Sequence, residues 1–301
     1  MGAWVPYNGY SMNRSNSLML ACLLVGLATI AGLSSAAAAE RDVLRVCADP
    51  NSLPFSSEDE AGFENRIAQL LADDLGVPLE YTWFPQRRGF VRQTLRARDG
   101  SGGYKCDLIM GVPTSFEMGL TTQPYYRSTY ALVIRATDDL VGVENQADFV
   151  ALDPAVRDGL HVGAHTPGPG TLWLTRNGMR NQIVAFPALD ADPDSYPGQL
   201  VDKELVEGRL DASILWGPIA GYFAKQEIER GAALRVIPLA GDEGIRFDFA
   251  IASAVRYGDD EWRDQVQDFY DRRQADIDAI LLEYGVPLLP NVPVSEKKDD
   301  D

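Results

Sequence analysis

The sequence predicts an α/β protein with two lobes joined by two chain crossings. Three observations lead to this prediction. Short apolar runs alternate with amphipathic segments, the alternation occurs twice along the chain, and 301 residues allow two compact cores. The composition, 46% hydrophobic and 24% charged, is that of an ordinary globular protein. We therefore expect the chain to pass from one α/β unit to a second and to return.

The first unit alternates strand, helix, strand, helix, strand. Its predicted elements are residues 42–48, 62–76, 79–84, 87–98 and 106–112. Glycines bracket the first helix, and the second is basic. Alternation of this kind favours a parallel sheet with right-handed connections.

A polar loop follows the third strand and leads into the strand-like run 128–134. Ligands of open α/β sheets gather outside the carboxyl ends of parallel strands, so we expect this loop to line a cleft. Tyr125, Tyr126 and Trp216 are predicted to grip a peptide segment there, since aromatic side chains anchor interfaces. The alternative is that at least one of these rings packs in the core.

The second unit and the return follow in the same manner. Its predicted elements are residues 160–164, 183–186, 199–207, 209–218, 219–230 and 234–238, before a returning strand at 246–255 and two helices at 260–273 and 276–284. We expect the first lobe to comprise 40–135 and 246–290, and the second lobe 136–245. Lobe closure is expected about the crossings near 133–137 and 239–246.

The termini are predicted to lie outside the fold. Arg14, an apolar run at 18–33 and alanines up to Ala39 have the order of a secretory signal, residues 1–39, with a retained anchor as the alternative. No later segment is long and apolar enough to span a membrane. The charged tail 291–301 is expected to be disordered.

Export leaves two cysteines, Cys47 and Cys106, which are expected to form a disulfide in an oxidising compartment. The strand positions argue against this pairing. Cys47 lies near the end of its strand and Cys106 near the start of the neighbouring parallel strand, which could place their Cα atoms too far apart for a disulfide. The net charge of -17 argues against nucleic-acid binding. This negative charge favours binding of a basic protein partner or of cations. The alternative is that it only keeps the protein soluble.

The sequence predicts no metal, cofactor or catalytic centre. In residues 190–194 every second residue is Asp, as at the start of a calcium-binding loop. However, Ser195 stands where such a loop has glycine, and Val201 stands where it has the bidentate glutamate. The two histidines have no neighbouring ligands, and no nucleophile has a base at a recognisable spacing. The loop 165–171 precedes a predicted helix, and its backbone N–H groups, including those of Thr166 and Gly168, could bind an anion. The alternative is that these residues only form a turn.

Several stretches resemble one protein family. They are LRVCADPNSLPF (44–55), GFENRIA (62–68), EYTWFPQRRGFVR (80–92), CDLIMGVP (106–113), LTTQPYYRSTY (120–130) and LWGPIAGYFA (215–224). The order of lobes and crossings resembles type II periplasmic solute-binding proteins, and these stretches resemble the branch associated with quinoprotein (PQQ-dependent) methanol and alcohol dehydrogenases. The resemblance implies a non-catalytic periplasmic protein that assists maturation or activation of such a dehydrogenase by binding it or a segment of it. A monomeric state is compatible with this role.

The chain departs from the amino-acid receptors of this fold at both ends of their ligand clamp. Those receptors hold the ligand carboxylate with an Arg in the loop after the third strand, where this chain has residues 114–118 without Arg. They hold the ammonium with an Asp at the end of a second-lobe strand, where this chain has Trp216. An unpaired buried charge is costly, so we expect free amino acids to bind poorly.

The predicted cleft combines residues from both lobes. They are Asp49, Phe55, Arg87, Arg88, Pro113, Thr114, Tyr125, Tyr126, Thr166, Gly168 and Trp216. Arg87 and Arg88 would meet an anionic ligand or an acidic partner, or form a solvated helix start. Two rival functions remain open: a transport receptor for a small solute other than an amino acid, and a periplasmic lyase or dehydratase.

Overall fold

The structure, a computed structural model, describes residues 41–187, 196–242 and 244–290. The predicted signal segment, the acidic loop 190–194 and the tail 291–301 lie outside the described residues. Strands β1 to β12 are, in order, Leu44–Ala48, Asn51–Ser52, Ser56–Ser57, Leu79–Trp83, Leu108–Pro113, Leu120–Thr121, Tyr126–Arg135, Val162–Thr166, Ile183–Pro187, Ala212–Trp216, Leu234–Pro238 and Asp248–Val255. Helices α1 to α7 are Phe63–Leu75, Phe90–Gln93, Gln146–Val150, Pro154–Arg157, Pro169–Arg176, Gly217–Glu229 and Asp260–Glu283.

The first lobe is built on the parallel strands β4, β1 and β5, with β12 antiparallel beside β5. The second lobe repeats this plan with the parallel strands β9, β8 and β10, and with β7 antiparallel beside β10. Strand β11 pairs with the other edge of β7. The predicted two-lobed α/β fold with two crossovers, the type II periplasmic binding protein fold, is confirmed.

Strand β7 passes from one lobe to the other without interruption. Residues 126–129 pair with β12 of the first lobe, and residues 130–135 pair with β10 and β11 of the second. The return segment crosses at the same place, because Tyr130 donates its N–H to the Phe247 carbonyl (3.0 Å) and accepts from the Leu239 N–H (2.8 Å). The partners of β7 therefore change between Thr129 and Tyr130. The limits 40–135 with 246–290, and 136–245, remain predictions.

The sheets are buried on both faces, as expected for parallel strands covered by helices. In β7, Leu132 and Ile134 join one apolar cluster of the second lobe, while Ala131 and Val133 join the cluster on the opposite face. The first lobe has the same two-sided arrangement, with separate clusters around α1 and α7 and around α2.

The Cys47–Cys106 disulfide is confirmed, with the two Cα atoms 5.4 Å apart. The strand register does not oppose it, because Cys106 precedes β5 and lies outside the ladder. The bond lies in the apolar cluster beneath α2, with Phe90, Val91 and Leu95. It therefore joins the first strand to the chain that follows the arginine-rich segment.

The helices agree with the sequence in most places. Helix α1 begins after Gly62 and ends at Gly76, whose φ of 69° is the left-handed conformation that glycine tolerates. Helix α7 covers both predicted C-terminal helices and kinks at Arg273, where they were expected to separate. The predicted helix 87–98 is much shorter, because Gly89 (φ 96°) precedes its first turn and Thr94 leaves the helical conformation.

Candidate functional site

Three half-buried aromatic rings lie where the chain crosses between lobes. Tyr130 is on β7, Trp216 ends β10 and Phe249 is on β12. The ring centroids of Tyr130 and Trp216 are 5.5 Å apart, those of Trp216 and Phe249 5.8 Å, and those of Tyr130 and Phe249 6.4 Å. We call these three residues the crossover site, because each comes from a different strand at the crossing.

Trp216 connects the lobes physically. Its strand belongs to the second lobe, yet its ring packs against the apolar core of the first. The next residue must be small, since a Cβ on Gly217 would lie 2.1 Å from the Thr129 carbonyl oxygen. In the other direction, Leu53 of the first lobe packs against a core cluster of the second. The lobes are therefore joined by side-chain packing as well as by the two crossings.

The charges beside the crossover site are already partnered. Arg127 and Asp248 form an ion pair in which the Arg127 Nε is 3.0 Å from Asp248 Oδ2. Arg246 lies over the Phe249 ring at 5.1 Å and donates its Nε–H to the Asp248 carbonyl at 2.7 Å. Burial raises the pKa of the Tyr130 hydroxyl, so this ring is neutral at ordinary pH. The site therefore presents mainly apolar and aromatic surface.

Tyr125 and Tyr126 do not line an open cleft, which corrects the expectation from sequence. They are 0% and 1% exposed, and both belong to the core of the first lobe. The Tyr125 ring stacks on Tyr270 at 4.8 Å, and the Tyr126 ring meets Phe63 edge-on at 6.0 Å. Both rings lie in the apolar cluster formed with α1 and α7, which is why neither reaches the surface.

A half-buried glutamate with one enclosed carboxyl oxygen lies beside these tyrosines, and sequence reasoning missed it. Glu64 is in the first turn of α1, and its Oε1 is enclosed without a hydrogen-bond partner among the described residues. Burial raises the pKa of the Glu64 carboxyl to about 8, while the Tyr125 hydroxyl acts in the opposite direction. An acid in the first turn of a helix is ordinary in sequence, so only its tertiary surroundings distinguish it.

Tyr126 lies in the apolar cluster against which Trp216 packs. Burial raises the pKa of the Tyr126 hydroxyl, so this ring is neutral at ordinary pH. The crossover site thus adjoins the core of the first lobe through Trp216.

The other first-lobe predictions lie in distinct settings. Asp49 is half-buried, and its carboxylate accepts the backbone N–H groups of Asn51 (2.8 Å) and Gln86 (2.5 Å). Phe55 is half-buried with its ring 5.4 Å from that of Phe63. Arg87 and Arg88 are exposed. Asp49 therefore holds the loops after β1 and β4 together and is not free for a ligand cation.

The remaining predicted residues lie at strand ends. Pro113 is exposed at the end of β5, and the half-buried Thr114 donates its N–H to the Ala250 carbonyl at 3.2 Å. Thr166 is exposed at the end of β8, and Gly168 precedes α5. Burial lowers the pKa of the neighbouring His165, so its imidazole is neutral. The positions agree with a cleft edge, but whether these residues bind anything remains a prediction.

The described residues contain no group of three or more potential metal ligands. No helix in the described ranges has the length and apolarity needed to cross a membrane. A polar cavity of about 320 Å³ lies beside Arg135 and Asp211, at the end of the second-lobe sheet away from Trp216. It is therefore separate from the crossover site.

Comparisons with known proteins agree with this fold. No family model matches the sequence. Protein MoxJ of Paracoccus denitrificans is 31% identical over 283 residues, which cover 88% of this chain and 96% of the relative. The crystal structure of periplasmic binding protein XoxJ from Methylobacterium extorquens AM1 is 34% identical, covers 82% of this chain and 100% of its own, and has a TM-score of 0.62. The structure of MxaJ from Methlophaga aminisulfidivorans MPT is 26% identical with the same coverage and a TM-score of 0.65.

Proposed function

Because this chain belongs to the MoxJ family of periplasmic binding-protein-like proteins, we propose that it is a non-catalytic accessory protein of a PQQ-dependent methanol or alcohol dehydrogenase. In this proposal it acts in the periplasm, binds the dehydrogenase or a segment of it, and assists its maturation or activation. The protein itself needs no cofactor for this role.

The observation that carries the proposal is the chemistry of the crossover site. Trp216 occupies the position where an amino-acid receptor would place an acid, and residues 114–118 lack the corresponding arginine. The nearby Arg127 and Asp248 neutralise each other. Exposed edges of aromatic rings suit a polypeptide with apolar side chains better than they suit a small zwitterion.

The buried acid does not favour the rival reading as a lyase. A general acid or base must reach within about 3 Å of a substrate proton. Glu64 is half-buried as a residue, and its Oε1 is enclosed against Gly111 without a hydrogen-bond partner among the described residues. An oxygen held in this way is not positioned to exchange a proton with a bound molecule.

Co-purification from the native periplasm tests the proposal. We expect the tagged protein to retain a dehydrogenase subunit, detected by mass spectrometry, and the Trp216→Ala variant to retain much less. Ile228→Ala, an exposed apolar residue near the far end of α6, is the matched control and should behave as wild type. A protein that instead carries a tightly bound small solute and no dehydrogenase would support the transport receptor.

A further inference from the structure

The segment after β4 is the most basic part of this acidic chain. Residues 87–98 contain five arginines and no acidic residue, whereas the whole chain has 44 acidic and 27 basic residues. Arginines elsewhere, such as Arg127, Arg209 and Arg256, are paired with carboxylates. Among the described residues, no carboxylate lies within ion-pairing distance of any of the five. These five charges are therefore not neutralised by the described residues.

The backbone that carries these arginines is firmly held. Phe90, Val91 and Leu95 are buried in the cluster that contains the Cys47–Cys106 disulfide. The hydroxyl of Thr94 donates to the Phe90 carbonyl at 2.7 Å. The arginines thus project from a fixed turn of chain, which reduces the conformational entropy lost when a partner binds.

Four of the five arginines, between positions 87 and 96, have exposed side chains that are not held over an aromatic ring. Arg87 and Arg88 are exposed, and the Nη2 of Arg92 is 3.6 Å from the Cβ position of Gly89, next to Arg88. Arg96 donates from Nη2 to the Met118 carbonyl at 2.9 Å, which leaves its other donors unused. Arg98 is different, because it covers the Tyr104 ring at 3.8 Å. We call Arg87, Arg88, Arg92 and Arg96 the arginine face.

Two exposed side chains lie near Arg96, at one end of this segment. Met118, whose carbonyl accepts from Arg96, is 48% exposed, and Tyr257 is 62% exposed. The Tyr257 hydroxyl donates to the Glu117 carbonyl at 2.9 Å, which places the ring beside Met118. Glu117 is exposed, so one acidic side chain borders the surface. Guanidinium groups beside a thioether and a phenol are a combination common in protein interfaces.

We propose that the arginine face, with Met118 and Tyr257, is a docking surface for an acidic polypeptide segment that also carries an apolar side chain. Guanidinium groups bind carboxylates through paired hydrogen bonds, and desolvated aromatic and thioether groups hold apolar side chains. The net charge of -17 repels an acidic partner from other faces of the chain and so directs it to this one. The same net charge opposes approach to an anionic lipid surface, which favours a polypeptide over a membrane.

This inference deepens the proposed function, because the natural partner is then an acidic segment of the dehydrogenase. The test uses two probes so that the two proposals fail separately. One probe is the purified dehydrogenase. The other is a short fluorescent peptide of Asp, Glu, Leu and Tyr, compared with its Asn and Gln counterpart.

The decisive variant is R87Q/R88Q/R92Q. Its matched control, R176Q/R180Q/K203Q, removes the same number of charges from exposed positions of the second lobe. We expect the wild type to bind the acidic peptide but not its amide counterpart. Its affinity for the acidic peptide should be lower at about 0.15 M salt, where the Debye length is about 8 Å, than in a buffer of lower ionic strength. The decisive variant should bind either probe about tenfold more weakly than wild type, and the control should not.

The outcomes separate clearly. A specific loss in the decisive variant with the peptide, but no capture of dehydrogenase by wild type, supports the arginine face and contradicts the proposed function. A specific loss with the dehydrogenase supports both. Equal affinities of the decisive variant and the control for both probes overturn the arginine face as a docking surface. Binding to phosphatidylglycerol vesicles without binding to either probe also overturns it, in favour of a membrane.

Discussion

The carboxyl group of Glu64 occupies the space into which a side chain at Gly111 would project. A Cβ on Gly111 would lie 2.2 Å from Glu64 Oε1, and the residue has a φ of 71°, where non-glycine residues are strained. Glu64 is on α1 and Gly111 is on β5, so this contact packs helix against sheet in the first lobe. The acid and the glycine therefore depend on each other.

Gly111→Ala should destabilise the protein by about 2–5 kcal/mol, since it adds left-handed backbone strain to a steric clash with a buried group. Urea unfolding measures the effect. Gly76→Ala is the matched control, because Gly76 has a similar φ of 69° but no atom near its Cβ position. A control that loses as much stability would show that the Glu64 contact contributes nothing.

Glu64→Gln should change how stability depends on pH. The pKa of Glu64 is raised to about 8 in the folded protein, so between pH 5 and 8 the folded state holds a proton that the unfolded state has lost. The free energy of unfolding contributed by this group therefore falls as pH rises, by about 1.4 kcal/mol per pH unit in that range. Glutamine does not titrate, so the variant should lack this fall. Parallel curves for the two proteins would refute a buried neutral acid.

Tyr125→Ala and Tyr126→Ala should each cost about 3–5 kcal/mol of stability, as expected for a large ring removed from a packed core. Trp216→Ala should cost clearly less, because its ring is half-buried. Circular-dichroism melts rank the three variants. If Trp216→Ala were the least stable of the three, the main role of the ring would be to stabilise the fold. Dehydrogenase binding would then be tested with the milder substitution Trp216→Phe.

Loss of the disulfide should also destabilise the first lobe. Closing a loop of 59 residues stabilises the fold by about 4 kcal/mol through the entropy of the unfolded chain. Cys47→Ser with Cys106→Ser, compared with wild type under oxidising and reducing conditions, gives the value. Because the arginine-rich segment lies within this loop, its hydrogen exchange should increase in the double variant. Unchanged exchange there would show that Phe90, Val91 and Leu95 hold the segment without help.

Common L-amino acids should show no measurable binding in calorimetry. The reason is the absence of Arg from residues 114–118 and of an acid at Trp216, together with the internal pairing of Arg127 and Asp248. Trp216→Asp restores only the acid of the clamp, so this variant should also show no amino-acid binding in the same assay. Micromolar binding of glutamate, arginine or histidine by the wild type would revive the transport receptor.

Local signals in the sequence determined much of this molecule. Apolar runs separated by amphipathic segments predict the strands and helices, and Gly62 and Gly76 predict both ends of α1. The missing clamp residues are also visible in sequence, because they are absences at positions the motif defines. The expected break between the C-terminal helices appears as the kink at Arg273.

Only the tertiary structure decided which way the important side chains face. Tyr126 and Tyr130 are four residues apart on β7, so strand alternation places both on the same face of the sheet and cannot tell the buried ring from the half-buried one. Their environments follow from pairing with β12 up to Thr129 and with β10 from Tyr130 onward, and the partners of these two tyrosines lie more than 80 positions away in sequence. The burial of Glu64 and the lack of ion pairs along the arginine face have the same origin. Burial and charge pairing are properties of long-range neighbours, which local sequence patterns do not encode.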